Sequence, residues 1–256
     1  MAGSLKMPME IGRALATSQF VSSSMEPRAA PTLPPNACLL TYALSVGPQN
    51  ILRNPTLREH FLPIVTPLRW QKWEELFVEA GILDQFRDVV VGIRDGFRLG
   101  VSSSISVTSL PPNHKSALDH SDIITAHIEK EHAAGRYSDP FDPILFERLF
   151  GPFRSSPLGV VFNPNSGKSR LIQDHSYPRN DPSLASVNSE IDSSDFQCDW
   201  GTFADCFLLV AKAPAGTQAA VFDVDAAHRR MPIAPEDRFH VTIFWDGSVR
   251  IDHAAC

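Results

Sequence analysis

Proline placement sets the first limit on what this chain can fold into. Of the 21 prolines in 256 residues, nine fall before residue 68. Each fixes φ near about −65° and removes a backbone N–H, so a segment dense in them neither propagates a helix nor pairs as a central strand. The same region carries Ser22-Ser23-Ser24 and Ala29-Ala30-Pro31-Thr32-Leu33-Pro34-Pro35. It is read as a disordered Pro/Ser-rich N-terminus over 1–55, with at most a frayed helix from Met9 to Ala16. No apolar stretch follows Lys6, so no secretory leader is predicted.

Beyond it the chain has the means to build a core: 43% of residues are hydrophobic and 20% charged. No apolar run approaches the roughly 20 residues of a membrane span. A net charge of −6 excludes a histone-like polyelectrolyte but not a local basic groove. The four cysteines form no Cys-x-x-Cys pair, which argues against a zinc ribbon or a disulfide framework and for an intracellular, reducing setting.

Helical periodicity starts with Trp70, Trp73, Leu76, Phe77 and Ala80, closed by Gly81, and continues in a short unit from Leu83 to Gly96. This defines a helical region over 56–110, ending in the Ser/Thr-rich linker 102–110. A long helix is predicted from an Asn113 cap to Ala134, and a second one from Asp142-Pro143 to Gly151. The pattern then turns to strands. Leu158–Phe162 and Ser169–Ile172 flank Asn163-Pro164-Asn165-Ser166-Gly167 as a hairpin. Trp200–Lys212 reads as an amphipathic helix and Gln218–Phe222 as a short strand ending at Asp223. Phe239–Trp245 and Ser248–Ile251 alternate around Asp246-Gly247, a strong hairpin signal. The fold class is α+β. The chain stops soon after a strand, which reads as a fragment.

Several residues invite chemistry. Gly167-Lys168-Ser169 has Phe162 where a phosphate-cradling loop needs its first glycine, which weakens a phosphate-binding ATPase reading and leaves it a second rival. His114, His120, His127 and His132 share one predicted helix without metal-ligand spacing, and read as solvated. Asp223 and Asp225 stand at a strand end, where carboxylates suit a hard cation such as Mg2+. Arg154, Lys168, Arg170 and Arg179 face only Asp174 between residues 154 and 179, a local charge of +3, and guanidinium groups on a rigid strand suit phosphate.

The order Lys168-Ser169-Arg170-Leu171-Ile172-Gln173-Asp174, Ser186-Val187-Asn188, a helix, then Ala220-Val221-Phe222-Asp223-Val224-Asp225-Ala226-Ala227-His228 with Met231-Pro232-Ile233 resembles the fingers and first palm motif of reverse transcriptases. More narrowly, Gly151-Pro152-Phe153-Arg154-Ser155-Ser156-Pro157-Leu158, Val187-Asn188-Ser189-Glu190-Ile191-Asp192 and Trp200-Gly201-Thr202-Phe203 look like the polymerase of fungal retroelements of the tyrosine-recombinase type. Pro111-Pro112-Asn113-His114 and Gly135-Arg136-Tyr137 fit the same group. The resemblance covers roughly 60–256 and implies a partial fingers–palm domain with antiparallel sheet over 111–256, following the helical N-terminal region.

That resemblance also implies roles. Asp223 would be the catalytic and first metal-binding carboxylate, with the Val224 carbonyl beside the same Mg2+. Lys168 and Arg170 would hold the triphosphate of an incoming dNTP, and His228 would lie against its sugar. His228 departs from the Tyr or Phe usual there. Arg154 and Arg179 are the further nucleic-acid contacts, the partner being an RNA or DNA primer–template. The second palm motif, an aromatic-x-Asp-Asp turn, and the thumb and ribonuclease H regions are absent. The expectation is therefore a truncated reverse-transcriptase-like protein. Its parent activity would be RNA-directed DNA polymerisation, with this chain inactive alone. The alternative is a non-catalytic nucleic-acid-binding or interaction remnant. Arg170 and Asp223 are expected to flank one cleft.

Overall fold

The computed structural model describes residues 35–179, 181, 184–192, 194, 201–220 and 223–255. The frayed helix at Met9–Ala16, Trp200, and the end of the Gln218–Phe222 strand lie outside the described residues. Order begins earlier than the proline count predicts. Helices α1 (Pro35–Val46), α2 (Pro48–Arg53) and α3 (Pro55–Phe61) follow one another directly. Pro48 and Pro55 act as helix starters, placed in the first turn where an N–H is dispensable. Asn54 caps α3, its side chain accepting from the Leu57 N–H at 3.1 Å.

Packing holds these short helices in place. Ala43, Ile51, Leu57, Phe61 and Leu62 form one cluster with Phe146, Leu149, Phe150, Phe153, Phe239, Val249 and Ile251. The cluster joins residues on both sides of the expected boundaries at 55/56 and 110/111, so the described segments share a core across them. Its aromatic rings meet mostly edge-on, as Phe146 does Phe153 at 4.5 Å between centroids, while Phe150 stacks on Phe239 at 5.5 Å.

Helix α4 (Trp70–Glu79) follows the predicted spacing and packs on α5 (Arg87–Asp95). Gly96 ends α5 at φ 97°, and an added Cβ there would lie 2.5 Å from the Ala234 backbone. Only glycine permits the Phe97–Ile233 bridge that follows. Segment 102–110 has no regular element, as expected of a linker, yet Ser109 pairs with Arg154.

The long helix predicted from Asn113 to Ala134 is two helices, α6 (Lys115–Asp119) and α7 (Ser121–Ala133), broken at His120 with φ −129° and ψ 48°. The Asn113 amide makes tertiary bonds instead of a cap: its carbonyl accepts from the Leu158 N–H and its NH2 donates to the Phe244 carbonyl. Helix α8 (Pro143–Phe150) starts where predicted, the Asp142 carboxylate accepting from the N–H groups of Ile144 and Leu145.

Strands β1 (Leu158–Phe162) and β2 (Ser169–Gln173) form one antiparallel pair, β3 (Ile243–Trp245) and β4 (Ser248–Arg250) another. Between the two lies α9 (Phe203–Lys212), opened by a capping box of Thr202 and Asp205. Two expectations change. Residues Phe239 and His240 belong to a 3-10 turn spanning Pro235–His240, so the strand begins only at Ile243. Pro235 starts that turn and the fully buried Arg238 pins it. Residues 218–220 carry no strand, and among the described residues the two hairpins remain separate sheets. The architecture is α+β. A palm sheet with Asp223 ending a central strand is not seen among the described residues.

Candidate nucleic-acid interface

The β1–β2 hairpin is built by its turn. The Asn163 side chain accepts from the N–H groups of Asn165 and Ser166, and Gly167 takes the φ of 66° that closes the loop. Side chains alternate across the pair. Leu158, Val160 and Leu171 point into a cluster with Ala117, Ile124, Ile128, Tyr137 and Ile243. Gln173, on the same face, donates to the carbonyls of Val241 and Thr242 at 3.1 and 3.2 Å. Arg170 falls on the opposite, outward face, across from Val161. Lys168 precedes the strand in the same alternation. Both cations are exposed, and among the described residues neither is in an ion pair.

The other two expected contacts are engaged elsewhere. Arg179 grips Asp174 end-on, at 2.7 and 2.9 Å. Asp174 also takes the His114 Nε2 at 3.0 Å. Burial opposes ionisation of Asp174, but the Arg179 and His114 hydrogen bonds outweigh it and hold the carboxyl below its usual range. Arg154 turns inward, with its side chain only 12% exposed and Nη1 2.8 Å from Glu190. The +3 patch therefore reduces to two unpaired cations, Lys168 and Arg170.

Asp223, Val224, Asp225 and His228 are all exposed. The segment bends at Ala226, φ 48°, into a 3-10 turn from His228 to Arg230. Arg229 anchors it. The guanidinium bonds Glu131 on α7 at 2.8 and 3.0 Å, Asp252 at 2.8 Å and the carbonyls of Ala254 and Ala255. It also lies 5.3 Å over the Tyr137 ring. Arg136 holds the other side of Glu131 at 2.6 and 2.9 Å. Burial works against the Glu131 charge, yet the two arginines win and hold its carboxyl at about 2. Burial lifts fully enclosed Asp252 to about 6 against the pull of Arg229, leaving it ionised near neutral pH.

The local sequence does not announce this network. Its signals are an Arg-Arg pair beside the first palm-like motif and one acid in a helix that looks solvated, but Glu131 and Arg229 are 98 positions apart. The predicted helix histidines are more engaged than expected: His132 meets Asp139 at 2.9 Å, and His120 packs edge-on against Phe162.

The site residues thus fall into two groups, the hairpin cations and the Asp223 segment. None of the main cavities among the described residues counts Lys168, Arg170, Asp223 or His228 in its lining. No protein-family model, no curated protein and no solved structure matches the chain. Asp223 and Asp225 project to solvent, and no group of three or more acids, imidazoles or thiols comes together among the described residues. No described helix is long and apolar enough to cross a membrane.

Proposed function

We propose that this chain is a reverse-transcriptase-like segment of a retroelement polymerase that holds single-stranded nucleic acid loosely and does not itself extend a primer. The reading rests on the ordered motifs from Gly151 to Ile233. The structural observation that supports it most is the pair of unpaired cations, Lys168 and Arg170, on the outward face of a hairpin whose other face is locked into the core. A rigid strand presenting charge at alternate positions contacts phosphates without reading bases. In the parent enzyme the same residues would meet a dNTP triphosphate beside a primer–template, with Asp223 and the Val224 carbonyl at Mg2+ and His228 at the sugar. Such an ion would supply electrostatic stabilisation of phosphoryl transfer. The 256 residues hold no Asp-Asp pair of the kind that the second palm motif of the resembled family carries.

The test is fluorescence anisotropy with a labelled single-stranded RNA across a salt series. Affinity should fall with a log–log slope of roughly −0.7 per phosphate contacted, hence about −1.4 for two contacts. Lys168→Ala with Arg170→Ala should abolish most of that slope for every sequence tried. Binding that ignores both changes would overturn the interface. Template-dependent nucleotide incorporation lost on Asp223→Asn would overturn the inactive reading.

A further inference from the structure

The turn between β3 and β4 carries an aromatic ring and a carboxylate side by side. Trp245 ends β3, and Asp246 and Gly247 make the turn at φ 47° and 71°. The Trp245 ring is held from two sides. It packs against the cluster that contains Ala117, Ile124 and Ile243, and its Nε1–H donates to the Thr125 hydroxyl on α7 at 3.4 Å. The preceding strand residue is tied down as well, since the Phe244 carbonyl accepts from the Asn113 amide at 3.1 Å. The indole thus stands on rigid elements, yet it is only half-buried.

A cavity of about 400 Å3 opens against it, lined by Asn113, Leu118, Ser121, Thr125, Trp245 and Asp246. Such a volume suits a small-molecule group, and the lining joins apolar walls to a few polar groups. The helix break at His120 sets Leu118, 63% exposed, near the end of α6 and Ser121 at the start of α7. An indole and an exposed leucine around one cavity suit a flat ring, which stacks on the aromatic face. The hairpin is close by: the His120 ring meets Phe162, the last residue of β1, at 4.9 Å.

The polar groups narrow the choice of ring. The Asn113 amide is committed to the Leu158 N–H and the Phe244 carbonyl. Thr125 accepts from Trp245 and keeps its hydroxyl proton to give. The side chains of Ser121 and Asp246 have no partner among the described residues. The cavity therefore offers a carboxylate, which only accepts, and two hydroxyls, which can donate. A carboxylate binds two adjacent N–H donors in parallel and repels an acceptor. Guanine presents such a pair, N1–H and N2–H2, beside the O6 acceptor on its pairing edge. Adenine, cytosine and uracil each place an acceptor next to their donor. A phosphate beside Asp246 would be repelled, so the neutral base alone belongs inside.

We propose that this cavity is a guanine pocket. The base lies on the Trp245 ring, its N1–H and N2–H2 donate to the Asp246 carboxylate, and the Ser121 or Thr125 hydroxyl donates to O6. Stacking alone would hold any base, and the carboxylate supplies the selection. The base belongs to single-stranded RNA or to a free guanine nucleotide. The strand as its source rests on the nucleic-acid reading of Lys168 and Arg170, whereas the pocket itself does not.

The test follows the Trp245 Nε1–H signal by NMR in the full chain with 15N-labelled tryptophan, assigned through Trp245→Phe, in separate titrations with GMP, AMP, CMP and UMP. A saturable shift with GMP is expected, with the other nucleotides at least about tenfold weaker. Asp246→Asn keeps a residue that tolerates the φ of 47° and turns one acceptor into a donor. It should weaken GMP binding at least about tenfold while the remaining tryptophan signals stay in place. A short RNA with one guanine, set against an all-uracil RNA, forms the second arm. A guanine advantage that Asp246→Asn removes identifies the strand as the source, and GMP binding without that advantage identifies the free nucleotide. In the Lys168→Ala/Arg170→Ala protein the GMP shift should persist while RNA affinity falls. RNA affinity that holds there would overturn the hairpin reading and leave the pocket standing. No saturable GMP shift, equal affinity for all four nucleotides, or a GMP affinity unchanged in Asp246→Asn would overturn the pocket. So would a shift that vanishes in the Lys168→Ala/Arg170→Ala protein, because the nucleotide would then sit on the hairpin.

Discussion

Replacing Arg229 by methionine removes the cation between two buried acids while keeping most of the side-chain volume. Glu131 retains both hydrogen bonds from Arg136, so its loss is partial. Asp252 is wholly enclosed and keeps only the Ala254 N–H at 3.1 Å. Breaking a buried pair from one side typically costs about 3–5 kcal/mol, because the remaining charge has no partner and no water. With a urea m-value of about 3 kcal/mol/M for a chain of this size, the unfolding midpoint should drop by about 1–1.7 M, read from tryptophan fluorescence.

The loss should also depend on pH, with a definite sign. Without Arg229 the native pKa of Asp252 rises further above its unfolded value. A carboxyl raised in the native state binds more protons there, so stability falls as pH rises through the native pKa. The variant's deficit should therefore be larger at pH 8 than at pH 5.5. Asp252→Asn on the Arg229→Met background should cost less than Asp252→Asn alone, since the charge it removes is already unpaired. A midpoint within about 0.3 M of the parent, or strictly additive single changes, would refute the claim that this pair anchors the Asp223 segment.

Two further outcomes are expected. Burial, against Asp174, pushes His175 down to about 4, and burial, aided by Arg238 and Arg229, pushes His253 to about 3, so both stay neutral in the fold while the unfolded chain takes up protons below pH 6.5; their stability contribution is present above pH 6.5 and lost as pH falls, about 2 kcal/mol each by pH 5, partly offset by about 1.4 kcal/mol from Asp252, which urea midpoints at pH 7.5 and 5 should register as a net loss of roughly 2–3 kcal/mol, flattened in His175→Gln. Gly96→Ala adds both a φ of 97° and a Cβ 2.5 Å from the Ala234 backbone, whereas Gly81→Ala adds only a φ of 70° in open space; the first should lower stability by more than about 2 kcal/mol and the second by roughly 1–2, and equal thermal shifts would contradict the close approach.

What sequence determined by itself is what neighbouring residues decide among themselves. Asp142 ahead of Pro143 starts α8 because its carboxylate meets N–H groups two and three residues on. Asn163 and Gly167 close one hairpin, and Asp246 with Gly247, at φ 47° and 71°, close the other. The alternation that turns Leu171 inward and Arg170 outward is equally local, so the strand pattern alone marks the outward cations. Tertiary packing decided the rest. The prolines of 35–61 look like breakers until a shared core of Leu57, Phe146 and Phe239 rewards the short helices they begin. Phe239 alternates like a strand residue yet sits in a 3-10 turn, because buried Arg238 holds the Ile233 carbonyl and His253. In sequence, Arg154 reads as a nucleic-acid contact, while Arg229 carries no signal beyond its place in an Arg-Arg pair. Their fates diverge because each is drawn to an acid far along the chain, Glu190 at 36 positions and Glu131 at 98, and such pairings are chosen by the folded backbone, which no local pattern encodes.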